Sequence, residues 1–166
     1  KYITKSYVVT DHENIEKSIN DISGNVIMVK DKCLNGTERI CLALKKLDTK
    51  PQLIVNVQGD EPFIDPKHID IAIEKMINNK NNNCVCSTLH YHITNQFEIN
   101  NKNVGKLVLD KKNYILYCSR TCIPANKKRK INGDHKYYGH IGVFVFKSEY
   151  LNEFYKSINT PLQLEE

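Results

Sequence analysis

The residues best suited to chemistry follow directly after an apolar segment at 53–57 and have the sequence QGDEP at 58–62. A short apolar run of this kind predicts a buried strand, and open α/β sheets bind ligands at the carboxyl ends of their strands. A carboxylate at that position suits Mg²⁺, which proteins hold through one or two carboxylates together with water and substrate phosphate oxygens. The segment therefore predicts Asp60 as a metal ligand, with Gln58 beside it, and a nucleotide as the substrate. The alternative is that Asp60 and Glu61 only cap a helix that begins near Pro66.

A second group of candidate ligand-binding residues, NGTER at 35–39, lies at a predicted junction between a loop and a helix. Gly36 permits close approach of a ligand, the first helical amides near Thr37 point outward, and the Arg39 guanidinium can bind a phosphate or carboxylate through paired hydrogen bonds. This pattern predicts an anion or nucleotide contact at Gly36, Thr37 and Arg39. A capped helix start with Glu38 and Arg39 on the surface is the alternative.

Two further polar residues stand at the ends of predicted strands. The guanidinium of Arg120, which follows the second strand of a hairpin, could pair with a substrate carboxylate or form a plain surface salt bridge. His140 precedes a strand at 142–146, where it either meets a ligand or serves as a structural residue. His90 and His92 alternate along one strand without a third ligand nearby in the sequence, so no metal site is predicted there.

The composition limits the class of partner. The chain has 166 residues and a formal charge of +5, which arises from lysines scattered among asparagine-rich loops rather than from a basic stripe with aromatic residues, so nucleic acid is not predicted as a partner. The denser basic cluster at 127–130 is expected to be a solvated loop. Six cysteines lack metal-ligand spacing and favour a reducing compartment. No membrane span and no signal peptide are predicted.

Hydrophobic periodicity predicts alternating strands and helices followed by an antiparallel part. Strands are expected at 7–10, 26–29, 53–57, 84–90 and 142–146, a hairpin at 106–110 and 114–118 with its turn at 110–113, and helices after Asp11 (its N-cap), after Gly36, after Pro66 and after Ser148 (as cap). Strands that alternate with amphipathic helices indicate an α/β fold with a mostly parallel sheet and an antiparallel hairpin extension.

Taken in chain order, six segments together resemble the 3-deoxy-manno-octulosonate cytidylyltransferase (CMP-KDO synthetase) family. They are TDHE at 10–13, NGTER at 35–39, VNVQGDEP at 55–62, YCSR at 117–120 with IP at 123–124, HIG at 140–142, and TPLQLEE at 160–166. The last segment looks like the plant-type members, and the combination of the second and third in this order is the specific part of the resemblance.

The resemblance implies a Rossmann-like nucleotidyltransferase (GT-A-like) domain with three layers, which spans 1–166. Its members combine CTP with 3-deoxy-manno-octulosonate (KDO), a sugar acid, in the presence of Mg²⁺ to give CMP-KDO and pyrophosphate, a step of lipopolysaccharide biosynthesis. By position, Asp60 is the metal carboxylate and acts in catalysis with Arg39. The substrate contacts are assigned to Gln58, Gly36, Thr37, Glu61, Arg120 and His140.

The same resemblance implies that the chain lacks parts of the family's domain. A first strand with its phosphate-binding loop is expected before Lys1, and a second metal-binding Asp and a sugar-contacting Glu are expected after Glu166, so activity of these 166 residues alone is in doubt. Phe144 stands where bacterial members tend to have Tyr. A homodimer in the cytoplasm is expected, with an organelle as the alternative if the source is a eukaryote.

Two rival functions stay open at the level of sequence. The first is a related sugar nucleotidyltransferase, for example one that activates a sialic acid with CTP. The second is a non-catalytic homologue that keeps the fold and a nucleotide pocket. The choice of acceptor sugar would separate the first from KDO activation, and the presence of the phosphate loop and the late Asp would separate the second.

Overall fold

The computed structural model describes residues 1–81, 83–125 and 135–156, apart from the side chains at 152, 155 and 156. The basic cluster at 127–130 and the segment at 160–166 therefore lie outside the described residues. The elements in chain order are β1 (Val8–Thr10), α1 (Glu13–Asp21), β2 (Val26–Met28), α2 (Gly36–Leu44), β3 (Leu53–Val57), α3 (Pro66–Ile77), β4 (Cys86–Ile93), α4 (Gln96–Asn100), β5 (Lys106–Leu109), β6 (Ile115–Ser119), β7 (Tyr137–Lys147) and α5 (Ser148–Lys156).

The first part of the chain forms the predicted β-α-β unit. Strands β1 and β2 pair in parallel, with Val8 opposite Val26, and α1 connects them. The N-cap of α1 is His12 rather than the predicted Asp11, because the ring Nδ1 of His12 accepts from the backbone N–H of Asn14 at 3.2 Å. The carboxylate of Asp11 instead pairs with Arg39.

The larger sheet is built around β7, the longest described strand. Along one edge of β7 runs β4, and along the other edge run first β5 and then β3, while β6 pairs with the outer edge of β5. Each of these described pairings is antiparallel, so the expectation of a mostly parallel sheet is wrong for the larger sheet. The reason is that β7 inserts between β3 and β4, which point the same way and are joined by a helix as predicted but are not neighbours in the sheet.

Helix α3 covers one face of this sheet, as its periodicity predicts. Ala72, Ile73 and Met76 are buried against Val145 of β7, and partly buried side chains from β3 and β4 complete the cluster. The helix begins with Pro66 after an Asp65 N-cap, whose side chain accepts from the N–H of Lys67 at 2.8 Å. Burial of such side chains contributes about 1.5–3 kcal/mol each to folding, so this helix fixes the sheet that carries the candidate site.

The predicted hairpin is also present. Strands β5 and β6 are antiparallel, and their turn at 110–113 is closed by the N–H of Asp110 donating to Tyr114 O at 2.9 Å. Asn113 adopts a φ of 64°, a left-handed conformation that asparagine tolerates better than most residues. No helix in the described part of the chain is both long and apolar enough to cross a membrane.

Candidate functional site

A cleft of about 1790 Å³ lies between the β1–β2 pair and β3. Its floor is apolar, with side chains from β1, α2, β3 and α3. Its polar lining includes six of the eight site residues predicted from the sequence, namely Gly36, Thr37, Arg39, Gln58, Asp60 and Arg120, together with Asn35 and Ser119, which were not predicted. The structure therefore brings together segments that are more than 80 residues apart in the sequence, whereas Glu61 and His140 are not part of this lining.

A break in the strand pairing along β7 forms one end of the cleft. The last pair of β3 is Val57 with Val143, and the first pair of β5 is Lys106 with Gly139. Beyond these pairs, the N–H of Gln58 donates to Gly142 O at 3.0 Å, and the N–H of His140 donates to Gly105 O at 2.8 Å. At this gap β3 therefore ends and β5 begins, and Gln58 is bonded to a residue of β7 that lies two positions after His140.

Gly142 links the loop after β3 to β7 through two contacts. Its N–H donates to Glu61 Oε1 at 2.9 Å, so one oxygen of that carboxylate is used by the backbone. A Cβ at position 142 would collide with the Gln58 side-chain oxygen and would lie 3.0 Å from its Cδ. Glycine at 142 therefore lets the Gln58 amide lie flat against the strand, which sets the direction of that side chain at the cleft.

Asp60 is exposed on the rim of this cleft. Its carboxylate takes part in none of the hydrogen bonds or ion pairs between described residues. The alternative in which Asp60 and Glu61 cap the following helix is wrong, since Asp65 occupies the N-cap of α3. Both carboxylate oxygens of Asp60 are thus available to a ligand, whereas Glu61 has one oxygen bonded to the backbone.

The start of α2 contributes backbone N–H groups to the opposite side of the cleft. Asn35 caps the helix, with its Oδ1 accepting from Glu38 N–H at 3.0 Å, and Glu38 Oε2 accepts from Leu34 N–H at 2.8 Å. Gly36 has open space on its side-chain face. The capped helix start proposed as an alternative is present, and the cap leaves the residues at 36 and 37 lining the cleft.

Arg39 is not the surface residue of that alternative, because its side chain is only 20% exposed. Its Nη2 lies 2.7 Å from Asp11 Oδ2, and its Nη1 donates to Val29 O at 2.6 Å. These bonds fix the guanidinium at the end of the β1–β2 pair while leaving further N–H donors for a ligand. Asp11 holds Arg39 at the cleft, a role that its sequence position before a helix did not indicate.

Arg120 lies at the end of β6, exposed and next to a buried lysine. Its Nη1 donates to Asn103 O at 3.2 Å, and its backbone carbonyl accepts from Lys106 Nζ at 3.1 Å. Lys106 is fully buried, and its ammonium also donates to the carbonyl of Asn101, at the C-cap of α4. Burial lowers the pKa of Lys106, an effect that Cys122 opposes. Lys106 therefore ties the loop before β5 to the segment that carries Arg120.

His140 is half-buried behind the lining of the cleft, where its ring lies 4.9 Å from that of Phe144, a lining residue. Its Nε2 lies 2.8 Å from Thr88 Oγ1 on β4. Burial lowers the pKa of His140, which Arg120 lowers further and Glu61 opposes. The ring is therefore neutral at pH 7 and can donate through one nitrogen and accept through the other.

Mg²⁺ needs oxygen ligands, and the described residues supply few of them. Within 1–81, 83–125 and 135–156, no group of three His, Cys, Asp or Glu side chains could hold a metal ion. Asp60 offers one free carboxylate beside a nucleotide-sized cleft, which fits the usual Mg²⁺ arrangement of one or two carboxylates completed by substrate phosphates and water. None of the six cysteines is in a disulfide, and none lies in a metal cluster of the described residues.

Sequence reasoning missed Thr88, Lys106 and Asp11. Thr88 lies in the middle of a strand, where β-branched residues are common and carry no functional signal. Lys106 lies in a predicted hairpin strand, where a lysine is expected to face solvent. The one signal available was a lysine at the start of an otherwise apolar segment, KLVL at 106–109. In the structure both Lys106 and the adjacent Leu107 are buried.

The whole chain, residues 1–166, matches the sequence model of a family described as cytidylyltransferase. Over 156 residues it is 37% identical to a protein of Fusobacterium nucleatum named 3-deoxy-manno-octulosonate cytidylyltransferase, covering 94% of this chain and 61% of that protein. Over 159 residues it is 38% identical to an Arabidopsis thaliana protein of the same name, designated mitochondrial, covering 96% of this chain and 54% of the relative. The chain thus spans less than two thirds of the length of these relatives.

The fold is similar to a solved structure of CMP:2-keto-3-deoxy-manno-octonic acid synthetase complexed with CTP. The TM-score is 0.83 at 22% identity, with 98% of this chain and 64% of that chain aligned. At this level of identity the likeness concerns the fold, and it confirms the predicted Rossmann-like α/β architecture.

Proposed function

The chain belongs to the cytidylyltransferase family, and on this premise we propose that the full-length protein transfers CMP from CTP to KDO and releases pyrophosphate. The observation that carries this proposal is the identity of 37–38% with proteins of that name over nearly the whole chain. The cleft supports it, because six of the eight residues expected from the sequence at a nucleotide and sugar-acid site converge there from three separate segments.

The nucleotide is assigned to the side of the cleft formed by α2 and the end of β3. The N–H groups at Gly36 and Thr37 lie at the positive end of the α2 dipole and suit phosphate oxygens. Arg39, held by Asp11 and Val29, presents its remaining N–H donors to the same anion. Gln58, flat against Gly142, supplies an amide that can bond the nucleotide or the sugar.

Asp60 is assigned as the Mg²⁺ ligand. When bound, the cation neutralises charge that grows on the phosphoryl oxygens as the transfer proceeds. Asp60 would hold the cation through a carboxylate that bonds to no other described residue, and the exposure of that carboxylate would leave the cation accessible to phosphate oxygens and water.

The acceptor is assigned to the end of the cleft at Arg120, with Glu61 and His140 behind it. The exposed guanidinium of Arg120 matches the carboxylate of a sugar acid. Glu61 keeps one carboxylate oxygen that is not bonded to Gly142 and can accept from a sugar hydroxyl. These groups orient the anomeric hydroxyl oxygen for attack on the α-phosphorus. A new P–O bond to the sugar then forms as the bond from the α-phosphorus to the bridging oxygen breaks. Pyrophosphate leaves with that oxygen and the electron pair, and the hydroxyl proton is released to water.

This chemistry depends mainly on positioning and on charge. Effective concentrations gained by orienting two bound reactants are large, so fixed contacts at both ends of the cleft account for much of the acceleration. No covalent intermediate with the protein is needed for this transfer.

The proposal is tested by measuring pyrophosphate release from CTP and Mg²⁺ with the full-length protein and a panel of acceptors. KDO should support release and a sialic acid should not. Release with the sialic acid and not with KDO would assign the protein to the rival transferase. No release with any acceptor, in a protein that still binds CTP, would assign it to the non-catalytic class.

We propose in addition that residues 1–166 form one domain and that the protein is a cytoplasmic homodimer, with an organelle as the alternative location if the source is a eukaryote. The exposed strand β6 supports a dimer, because Leu116 and Tyr117 are 64% and 60% exposed at a sheet edge that pairs with no further strand among the described residues. Light scattering of the full-length protein should give twice the chain mass, and cell fractionation should recover it with soluble markers.

A further inference from the structure

We propose that Thr88 is a positioning residue that fixes His140 as a hydrogen-bond acceptor for a hydroxyl of the acceptor sugar, rather than as a donor to an anion. The inference rests on the proposed function for the identity of the ligand. The position of the proton on the His140 imidazole is inferred from the hydrogen-bond geometry between β4 and β7.

The geometry assigns the protons around Thr88. The Oγ1 atom of Thr88 lies 2.6 Å from Val143 O, 2.8 Å from His140 Nε2 and 3.4 Å from Ile141 O. A carbonyl oxygen can only accept, and a hydroxyl has one proton, so the Thr88 proton goes to the near carbonyl of Val143. The contact between Thr88 Oγ1 and His140 Nε2 then needs its proton from the ring. His140 is therefore protonated on Nε2.

The strand pairing explains why Thr88 reaches three groups on β7. The register between β4 and β7 shifts between Thr88, which lies opposite Phe144, and Leu89, which lies opposite Ile141. Two residues of β7 are thus left without a partner on β4, and such an irregularity turns side chains away from the regular alternation. The Thr88 hydroxyl occupies this irregular position, and its bonds fix the orientation of the His140 ring.

The remaining ring nitrogen has a defined chemical character. A neutral imidazole with its proton on Nε2 carries a lone pair on Nδ1, and no described residue bonds to that atom. The charged groups that act on the ring are Arg120 and Glu61, and His90 lies opposite it on β4. A lone pair repels a carboxylate or a phosphate and accepts from a hydroxyl. His140 lies behind the lining of the cleft, but Arg120, which lines it, acts on the His140 ring, so a ligand bound at Arg120 would lie next to that ring. In the proposed complex the sugar carboxylate is therefore left to Arg120, and a hydroxyl of the same sugar is bound by Nδ1.

A consequence for specificity follows. A site with an acceptor fixed in place discriminates strongly against a sugar that lacks the matching hydroxyl, because the buried acceptor is then left without a donor. The Thr88–His140 pair would thus select among sugar acids that share a carboxylate but differ in their hydroxyl groups.

Two variants of the full-length protein and two measurements test the inference. Thr88→Val keeps the shape of the side chain but removes the hydroxyl, and Thr88→Ser keeps the hydroxyl. ¹⁵N NMR of histidine-labelled protein without substrate should show His140 with a protonated Nε2 and an unprotonated Nδ1 in the parent and in Thr88→Ser. In Thr88→Val we expect a mixture of the two tautomers.

Kinetics give the second measurement. Thr88→Val should raise the KM for the acceptor sugar in inverse proportion to the fraction of His140 that keeps its proton on Nε2, which is about twofold for an equal mixture. It should leave the KM for CTP unchanged, and Thr88→Ser should restore the parent value. A proton on Nδ1 of the parent at neutral pH would overturn the inference, and so would an equal change in both KM values. If no sugar acid is a substrate, the proposed function fails, but the tautomer measured without substrate still decides the role of Thr88.

Discussion

The rim of the cleft and the wall behind it differ in how their polar groups are satisfied. On the rim, formed by Gln58 to Asp60, the residues are exposed, and the Asp60 carboxylate bonds to none of the described residues. In the wall, formed by Thr88, Lys106 and His140, each side chain hydrogen-bonds to another segment of the chain. The comparison teaches that exposed groups at the rim are available to bind a ligand, whereas the bonded groups of the wall hold the shape of the site and leave Nδ1 of His140 for the proposed sugar contact.

The largest effect is expected at the rim. Asp60→Asn should lower kcat of the full-length protein by at least about 10²-fold, because it removes the anionic ligand for a cation that stabilises the transferred phosphoryl group. The free energy of unfolding should change by less than about 0.5 kcal/mol, since the side chain is exposed and has no described partner. Steady-state kinetics and chemical denaturation measure the two quantities.

Asp48→Asn is the matched control, because Asp48 is also exposed and lies outside the lining of the cleft. It should leave both quantities near the parent values. If Asp60→Asn kept full activity, or lost stability along with activity, the rim would not be the separate chemical region described above.

The next effect is expected in the wall. Lys106→Met keeps the length of the side chain but leaves the carbonyls of Asn101 and Arg120 without their donor, which should lower the free energy of unfolding by about 2–3 kcal/mol. Urea denaturation of the parent and the variant checks this value. Lys102→Met, at an exposed lysine in the same loop, should change it by less than about 0.5 kcal/mol. Equal effects of the two substitutions would show that the buried hydrogen bonds of Lys106 do not contribute to the free energy of unfolding.

A smaller effect is expected where rim and wall meet. Gly142→Ala places a methyl group against the Gln58 side chain and should displace its amide, raising the KM for CTP by about tenfold through the loss of one hydrogen bond. Gly105→Ala is the control on the same side of β7, because the added Cβ would meet His140 Cβ at an ordinary contact distance of 3.4 Å. An unchanged KM for CTP in Gly142→Ala would show that Gln58 does not bind the nucleotide.

The smallest effect is a pH dependence of stability that arises from His140. Burial lowers the pKa of His140 in the folded protein below its ordinary value of 6.5, so the unfolded chain binds a proton at a higher pH than the folded chain does. The neutral ring therefore makes its full contribution to the free energy of unfolding above about pH 6.5. This contribution is lost as the pH falls towards the lowered pKa. The slope from this residue is at most about 1.4 kcal/mol per pH unit, and less because the ring is only half-buried.

Denaturation curves between pH 7 and pH 5 measure this slope. His140→Gln should flatten it relative to the parent, and His68→Gln, at an exposed position on α3, should not. If His140→Gln left the slope unchanged, His140 would not be a source of the loss of stability at acid pH.

The local structure of this chain could largely be predicted from its sequence. The strand at 53–57, the helix after Pro66 and the hairpin turn at 110–113 follow from apolar periodicity and from Pro, Asp and Asn at element ends, and the structure has them there. These signals act over a few residues, and the structure agrees with them because tertiary packing does not oppose them.

The direction of the strands could not be predicted in the same way. Alternation of strands and helices indicates that β3 and β4 point the same way, but it contains no information on whether a later strand inserts between them. Strand β7 begins 80 residues after the end of β3 and pairs with both. Contacts of that separation depend on the packing of the whole sheet.

The residues of the candidate site differ in the same way in whether the sequence predicts their roles. The rim residue Asp60 and the cleft residues Gly36 and Arg39 belong to short segments with recognisable chemistry, so the sequence pointed to them. The wall residues Thr88 and Lys106 acquire their roles only through carbonyls supplied by other segments, which no local pattern records. Asp11 was assigned to a helix cap for the same reason, since its contact with Arg39 is not local.

The most direct test of the central claim is ³¹P NMR of the full-length protein mixed with CTP, KDO and Mg²⁺. Transfer of CMP predicts that the three CTP resonances give way to one phosphodiester resonance and one of pyrophosphate, and that Asp60→Asn suppresses both. Formation of CDP with a sugar phosphate, or no phosphodiester at all in a protein that binds CTP, would contradict attack at the α-phosphorus and with it the proposed function.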